Sequence, residues 1–154
     1  MIKKTTTLDI QIHGKTPSSL TKEKILKISK ITLAYLRKSN LVLGVVFLAP
    51  KKMQTINKQH RRIDRPTDVL SFTYSEHGKR GQPLNGDILI CPSYVKHQAS
   101  ENNIPYSQEL ARVFIHGILH VAGYDHAKSA EEKKMFSLQE RILKKYEHMG
   151  TSKL

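Results

Sequence analysis

The chain has a single cysteine, Cys91, among its 154 residues, so no disulfide can close within it and the fold has to rest on its core. A chain of roughly this length buries close to 70% of its unfolded surface, which is enough. Any metal it holds therefore needs a functional reason. Acidic residues are scarce, with 13 Asp and Glu against 26 Lys and Arg, giving a net charge of +13. That balance favours polyanionic partners: RNA, DNA or an anionic membrane surface. No basic tail concentrates the charge, so the field belongs to the folded surface. Long apolar runs are also missing. The longest, Leu41 to Ala49, is far short of the roughly 20 residues that span a bilayer, which excludes a membrane-spanning helix. The N-terminal stretch MIKKTTTLDIQIHGK has charge but no apolar h-region, and the expectation is a cytoplasmic chain.

There is no internal repeat, low-complexity tract or linker, so one domain is expected over residues 1–154. Alternating Leu8, Ile10 and Ile12 predict a strand, and the spacing of Ile25, Ile28, Leu33 and Leu36 predicts a helix from Thr21 to about Lys38, broken by Asn40. Leu41 to Leu48 is apolar enough for a fully buried strand closed by Pro50. A short helix carrying Met53 and Ile56, a polar turn and a strand from Val69 to Tyr74 follow. Residues 75 to 86, SEHGKRGQPLNG, should form a mobile loop before a fourth strand from Asp87 to Cys91.

Pro92 and Pro105 bracket a short helix, after which Ser107 is the expected N-cap of a helix reaching about Ala122. Its Leu110, Phe114, Ile115, Ile118, Leu119 and Val121 leave no wide polar face, which marks it as the central, buried helix. Ser129 and Glu132 have capping-box spacing for a last helix ending near Gly150. The order β-α-β-α-β-β followed by helices predicts a compact α+β fold with a mixed sheet covered by helices on at least one face.

The central helix carries the chemistry, in the stretch HGILHVAGYDH. Residues four apart on a helix lie about 40° apart around its axis, so His116 and His120 project side by side and their imidazoles can share a cation. Gly123 can end the helix in a left-handed conformation and swing His126 toward the same point. Three neutral imidazoles suit Zn²⁺, one per chain, and leave a fourth position open as catalytic sites do. Metzincin proteases share this spacing but place a glutamate after the first histidine as general base. Here that residue is Gly117, which can accept no proton, so a metalloprotease is the weaker enzyme reading. Asp125 can orient an imidazole or cap the turn.

Ahead of the third strand, NKQHRRIDRPTDVLSF sets Arg61, Arg62 and Arg65 in a proline-fixed turn, where a guanidinium can grip phosphate through two donors. With a metal and the basic surface, this points to phosphodiester chemistry. Ser71 and Phe72 on the following strand, with Arg62 and Arg65, are candidate RNA contacts, Phe72 and Tyr74 by stacking on bases. Cys91, in a buried strand, reads as a core residue rather than a nucleophile.

These residues resemble the YbeY family of single-strand-specific endoribonucleases, also called rRNA maturation factors. HGILHVAGYDH is similar to the family's metal motif, RPTDVLSF to its second motif, GDILIC to its GDI strand and MFSLQERIL to its terminal helix. The resemblance implies an α+β fold with a four-stranded sheet, one zinc, and cleavage of single-stranded RNA in maturation of the 3' end of small-subunit (16S) rRNA and in ribosome quality control. It also implies the rRNA precursor, the small ribosomal subunit and its associated proteins as partners, with neither membrane nor DNA. By position His116, His120 and His126 match the zinc ligands, and Arg61 matches the arginine preceding a Gly-Lys-Asp. Here that tripeptide reads Arg62, Ile63, Asp64, and His60 stands where a tyrosine is common.

In such a site Arg61 would stabilise the extra negative charge of a five-coordinate phosphorus. No general base stands in the motif, and water and the RNA 2'-OH both remain open as nucleophile. The non-enzymatic alternative is an RNA-binding ribosome assembly factor whose zinc is structural.

Overall fold

The computed structural model describes residues 5–75, 81–125 and 127–151. Strand β1 (Thr7–His13) leads through helix α1 (Lys22–Leu36) to β2 (Asn40–Phe47), and α2 (Pro50–Arg61) then leads to β3 (Val69–Thr73) and β4 (Leu84–Ile90). Helices α3 (Pro92–Glu101), α4 (Tyr106–Val121) and α5 (Ser129–Thr151) follow. The sheet order is β1-β2-β4-β3. β2 is parallel to both β1 and β4, whereas β3 runs antiparallel to β4 on the edge. The expected mixed four-stranded α+β architecture is present.

One face of the sheet carries the main core. Leu41, Leu43 and Val45 of β2 and Ile88 and Ile90 of β4 pack with residues of α1, α3, α4 and α5, all shielded from water. The other face holds only a small cluster of Met53 from α2 with Leu70, Leu89 and Cys91. β2 is therefore not buried on both sides as its composition suggests: it alternates, with Val42, Gly44 and Val46 half-buried and Val46 packed against the α2 cluster.

Several boundaries shift for local reasons. α1 stops at Arg37, which is left-handed (φ 55°) and donates to Ala34, before Asn40 is reached. β4 begins at Leu84 rather than Asp87, because Leu84 pairs with Leu41 and the Tyr74 amide donates to the Asn85 carbonyl. The cap of α4 is Pro105 instead of Ser107: its carbonyl takes the Glu109 amide, and its ring pre-sets the backbone for the helix start. In α5 the Glu132 amide donates to the Lys128 carbonyl, so Ser129 is already helical and the expected capping box does not form. The expected mobile loop is covered only at residues 75 and 81–86, since 76–80 lie outside the described residues.

α4 is the central helix, with ten of its sixteen residues buried. Its incompletely buried positions include Gln108, Arg112, His116 and His120, four residues apart and hence a single line along the helix. β3 is pinned beside that line. The Ser71 hydroxyl donates to the Gly117 carbonyl at 3.2 Å and the Thr73 hydroxyl to the Val121 carbonyl at 2.9 Å. Two residues of strand advance about 6.6 Å and four of helix about 6 Å, so both bonds fit one registration.

Candidate active site

A cleft of about 620 Å³ opens where the C-terminal half of α4 meets β3 and the end of α2. His116 and His120 line it from α4, Arg61 from α2, and Val69, Ser71 and Thr73 from β3. The sequence-assigned Arg61, Ser71, His116 and His120 thus come together. Arg62 and Arg65 are exposed outside the lining. Phe72 is on the opposite face of the sheet, against the α2 cluster, its ring edge-on to His60 at 4.9 Å. Tyr74 shares that face and donates to Asp87 at 2.8 Å, a bond that, with burial, raises its phenol pKa.

The two imidazoles present their Nε2 atoms to each other at 3.0 Å. Ligands sharing a tetrahedral ion at roughly 2.0–2.1 Å stand about 3.3 Å apart, so the pair is nearly at that separation. The other nitrogen of His116, Nδ1, is 2.7 Å from Oε1 of Gln139, a buried residue of α5. Gln139 Nε2 in turn donates to a Glu140 carboxylate oxygen at 3.2 Å. That bond sets the amide's orientation, so Oε1 accepts and His116 Nδ1 carries the hydrogen. The lone pair is left on Nε2, facing His120.

Arg112 anchors the far end of this chain. Its Nε and Nη2 donate to Glu140 at 3.0 Å and its Nη1 to Glu109 at 2.7 Å. Partial burial pushes the Glu140 carboxyl up, but the Arg112 and Gln139 hydrogen bonds and the guanidinium charge outweigh it and hold it below the ordinary glutamate value.

At the end of α4 Gly123 adopts φ 99°. Its amide donates to His120 O and that of Tyr124 to Leu119 O, both at 3.0 Å, a Schellman turn that satisfies two terminal carbonyls. The turn carries Asp125 to the cleft rim. Among the described residues no group of three His, Cys, Asp or Glu side chains gathers around an ion position. The third assigned imidazole, His126, lies outside the described residues. The two described donors fit a borderline cation such as Zn²⁺, since both are imidazoles and one has its tautomer set for ligation.

The sequence reading missed three residues here. Gln139 stands on the buried face of α5 between Met135 and Ile142, and a polar residue in an apolar stripe is the available signal. Asp68 lines the cleft, its Oδ1 accepting from the Val69 amide at 2.7 Å and the Thr67 hydroxyl at 3.3 Å. Thr67 is the third, and the signal for both was the proline-fixed RPTD turn.

A basic α+β chain with paired imidazoles and an arginine in one cleft has the donor set that enzymes acting on phosphate esters use. The sequence model of the family described as Endoribonuclease YbeY matches residues 8–147. Endoribonuclease YbeY of Shouchella clausii is 42% identical over 67% of this chain and 71% of its own length. That of Persephonella marina is 40% identical over 80% and 82%, and that of Treponema denticola 32% over 92% and 94%. The solution structure of TM1509 from Thermotoga maritima superposes with a TM-score of 0.65 at 33% identity, covering 89% of this chain and 88% of the other. The chain belongs to the YbeY family and is an endoribonuclease.

Proposed function

We propose that the cleft is a metal-dependent centre that cuts single-stranded RNA, with His116, His120 and His126 holding one Zn²⁺ and Arg61 as the catalytic arginine. The observation that supports this reading is the cleft itself, which sets Arg61 across from two imidazoles whose Nε2 atoms converge. When bound, the ion would supply a Lewis acid at the scissile phosphate. Arg61, at the C-terminal end of α2, binds a non-bridging phosphate oxygen through its planar donors and stabilises the charge that grows as phosphorus becomes five-coordinate. Asp68 and Asp125 are the described carboxylates on the cleft wall. Arg62 and Arg65 extend the positive field beyond the cleft and hold the RNA backbone.

The processing step is the maturation of the 3' end of 16S rRNA, with a role in ribosome quality control, in the cytoplasm and in company with the small ribosomal subunit and its proteins. No described helix is long and apolar enough to cross a membrane. Gly117 argues against peptide hydrolysis by a metzincin route: a Cβ there would sit 2.8 Å from Ile88 Cγ2, so no base can be accommodated at that position.

The test is cleavage of an end-labelled single-stranded RNA by the purified protein, metal-stripped and zinc-reloaded, beside His120→Ala and Arg61→Ala. Cutting that follows the metal, vanishes in His120→Ala and falls at least tenfold in Arg61→Ala is the expected result. Cutting unaffected by stripping or by either substitution would overturn the assignment. The product ends select the nucleophile: a 2',3'-cyclic phosphate means the 2'-OH and excludes water.

A further inference from the structure

Phe136 is the first residue of α5 after the buried Met135, and it points outward with 47% of its surface exposed. Three large hydrophobic residues are exposed among those described, and the other two, Tyr74 and Tyr94, carry a hydroxyl. Phe136 has no polar atom to hydrate. Leaving such a ring in water forgoes the free energy of burying it, and the ring is not at a random place on the surface. Its centroid lies 6.5 Å from that of His116, with the planes tilted by 40°, so it stands beside one imidazole of the cleft, just outside the cleft lining.

Charge accompanies it. Lys133, also exposed, lies three residues earlier on α5, a spacing that puts the two on one helix face together with Glu132 and with Glu140, the latter neutralised by Arg112. An open aromatic ring, an ammonium one turn away along the helix and a cleft imidazole beside the ring make up a combination that suits unpaired nucleic acid. A base stacks on the ring, its phosphate meets the cation, and the next phosphate falls at the reacting centre.

We propose that Phe136 is the stacking platform for an unpaired nucleobase of the RNA strand, adjacent to the phosphate that is cut. This rests on the cleft being the ribonuclease centre described above. It also gives single-strand selection a physical basis, because a base stacked within a duplex has no free face for the ring. Phe72, on the far side of the sheet, cannot serve the same cleft.

The chain contains no tryptophan, so Phe136→Trp introduces a lone fluorophore at the proposed subsite. The probe is a single-stranded 2'-O-methyl oligoribonucleotide, which lacks the free 2'-OH, bound to the metal-free full-length protein. Binding is followed independently by anisotropy of a label on the oligonucleotide. The Trp variant should be quenched on binding and keep wild-type affinity, and duplex of the same sequence should leave it unquenched. Phe136→Ala and Phe136→Leu should both bind roughly tenfold more weakly, with unchanged circular dichroism. Leucine separates stacking from mere apolar cover. Binding with no quenching, or wild-type affinity in the alanine and leucine variants, overturns the subsite and leaves the ribonuclease reading intact. Failure of the wild-type protein both to bind and to cut single-stranded RNA overturns that reading, and the subsite with it.

Discussion

His116 Nδ1 and Gln139 Oε1 stand 2.7 Å apart, and everything behind Gln139 makes that contact a one-way hydrogen bond. Glu140 can only accept, so the Gln139 amide nitrogen must face it, and the carbonyl must face the imidazole. An ion-pair cluster of Arg112, the buried Glu109 and the half-exposed Glu140 thereby dictates which nitrogen of a cleft histidine holds its proton. Gln139→Leu removes the acceptor and leaves Nδ1 without this partner. We expect His116 to lose its Nδ1–H tautomer in nitrogen NMR spectra of the metal-free protein. Zinc affinity, measured by chelator competition, should fall about 10- to 100-fold. Gln139→Glu retains an acceptor and should retain the tautomer. A wild-type spectrum in the leucine variant would show that the relay has no hold on the ring.

The same cluster predicts a pH dependence. The Glu140 carboxyl is held below its ordinary value near 4.5, so the unfolded chain takes up the proton more readily than the native one. The ion pair then contributes its full stability above that ordinary value and loses it as pH falls through the depressed native value. Urea unfolding of wild type and Glu140→Gln should differ most at about pH 7 and converge at about pH 3. The Glu140 side chain is 49% exposed, so solvent screens the pair and the difference should be modest. A gap that persists at the acid end would place the effect in packing instead.

The central helix was legible because its apolar residues leave only one line uncovered, and because His116 and His120 fall on that line by spacing alone. The Gly123 turn was legible for the same local reason. The cleft was not: it exists because β3 docks along α4 through bonds between residues 46 and 48 apart in the chain, and no local pattern encodes that pairing. Alternation along β3 separates Ser71 and Thr73 from Phe72 and Tyr74, but it cannot say which set faces α4. Stacking was therefore expected of Phe72, on the wrong side of the sheet. The start of β4 was missed because Gly86 reads locally as a turn, whereas pairing with strands on both sides makes it part of the ladder.

Gly117 is a point of close approach between α4 and β4. A Cβ there would lie 2.8 and 3.0 Å from Cγ2 and Cδ1 of Ile88, which is itself fully buried and cannot swing aside. Alanine would gain about 1 kcal/mol of helix propensity over glycine but force overpacking worth about 1–3 kcal/mol. Gly117→Ala should therefore unfold at lower urea concentration than wild type, by about 1 kcal/mol in free energy. Gly117→Glu, which restores the base of a metzincin, should not fold. A stabilised alanine variant would mean that helix and sheet separate easily at this point.

Arg62 holds a conformation that its side chain disfavours. It caps α2 at φ 60° and ψ 29°, at the position where the resembling family pattern has glycine. A left-handed residue with a Cβ costs about 1–2 kcal/mol, of which glycine would return part after its own entropy loss of about 0.5–1 kcal/mol. Arg62→Gly should thus stabilise the protein by up to about 1 kcal/mol. If the strain is retained for the sake of the charge, the same substitution should weaken single-stranded RNA binding. The slope of log affinity against log salt should then become shallower by about 0.7. Greater stability with an unchanged slope would separate the two: the backbone would be strained, but the guanidinium would not be on the RNA. An unchanged stability would mean that the turn carries no strain for glycine to relieve, because the Asn57 amide, donating to the Arg65 carbonyl at 2.8 Å, already holds it in place.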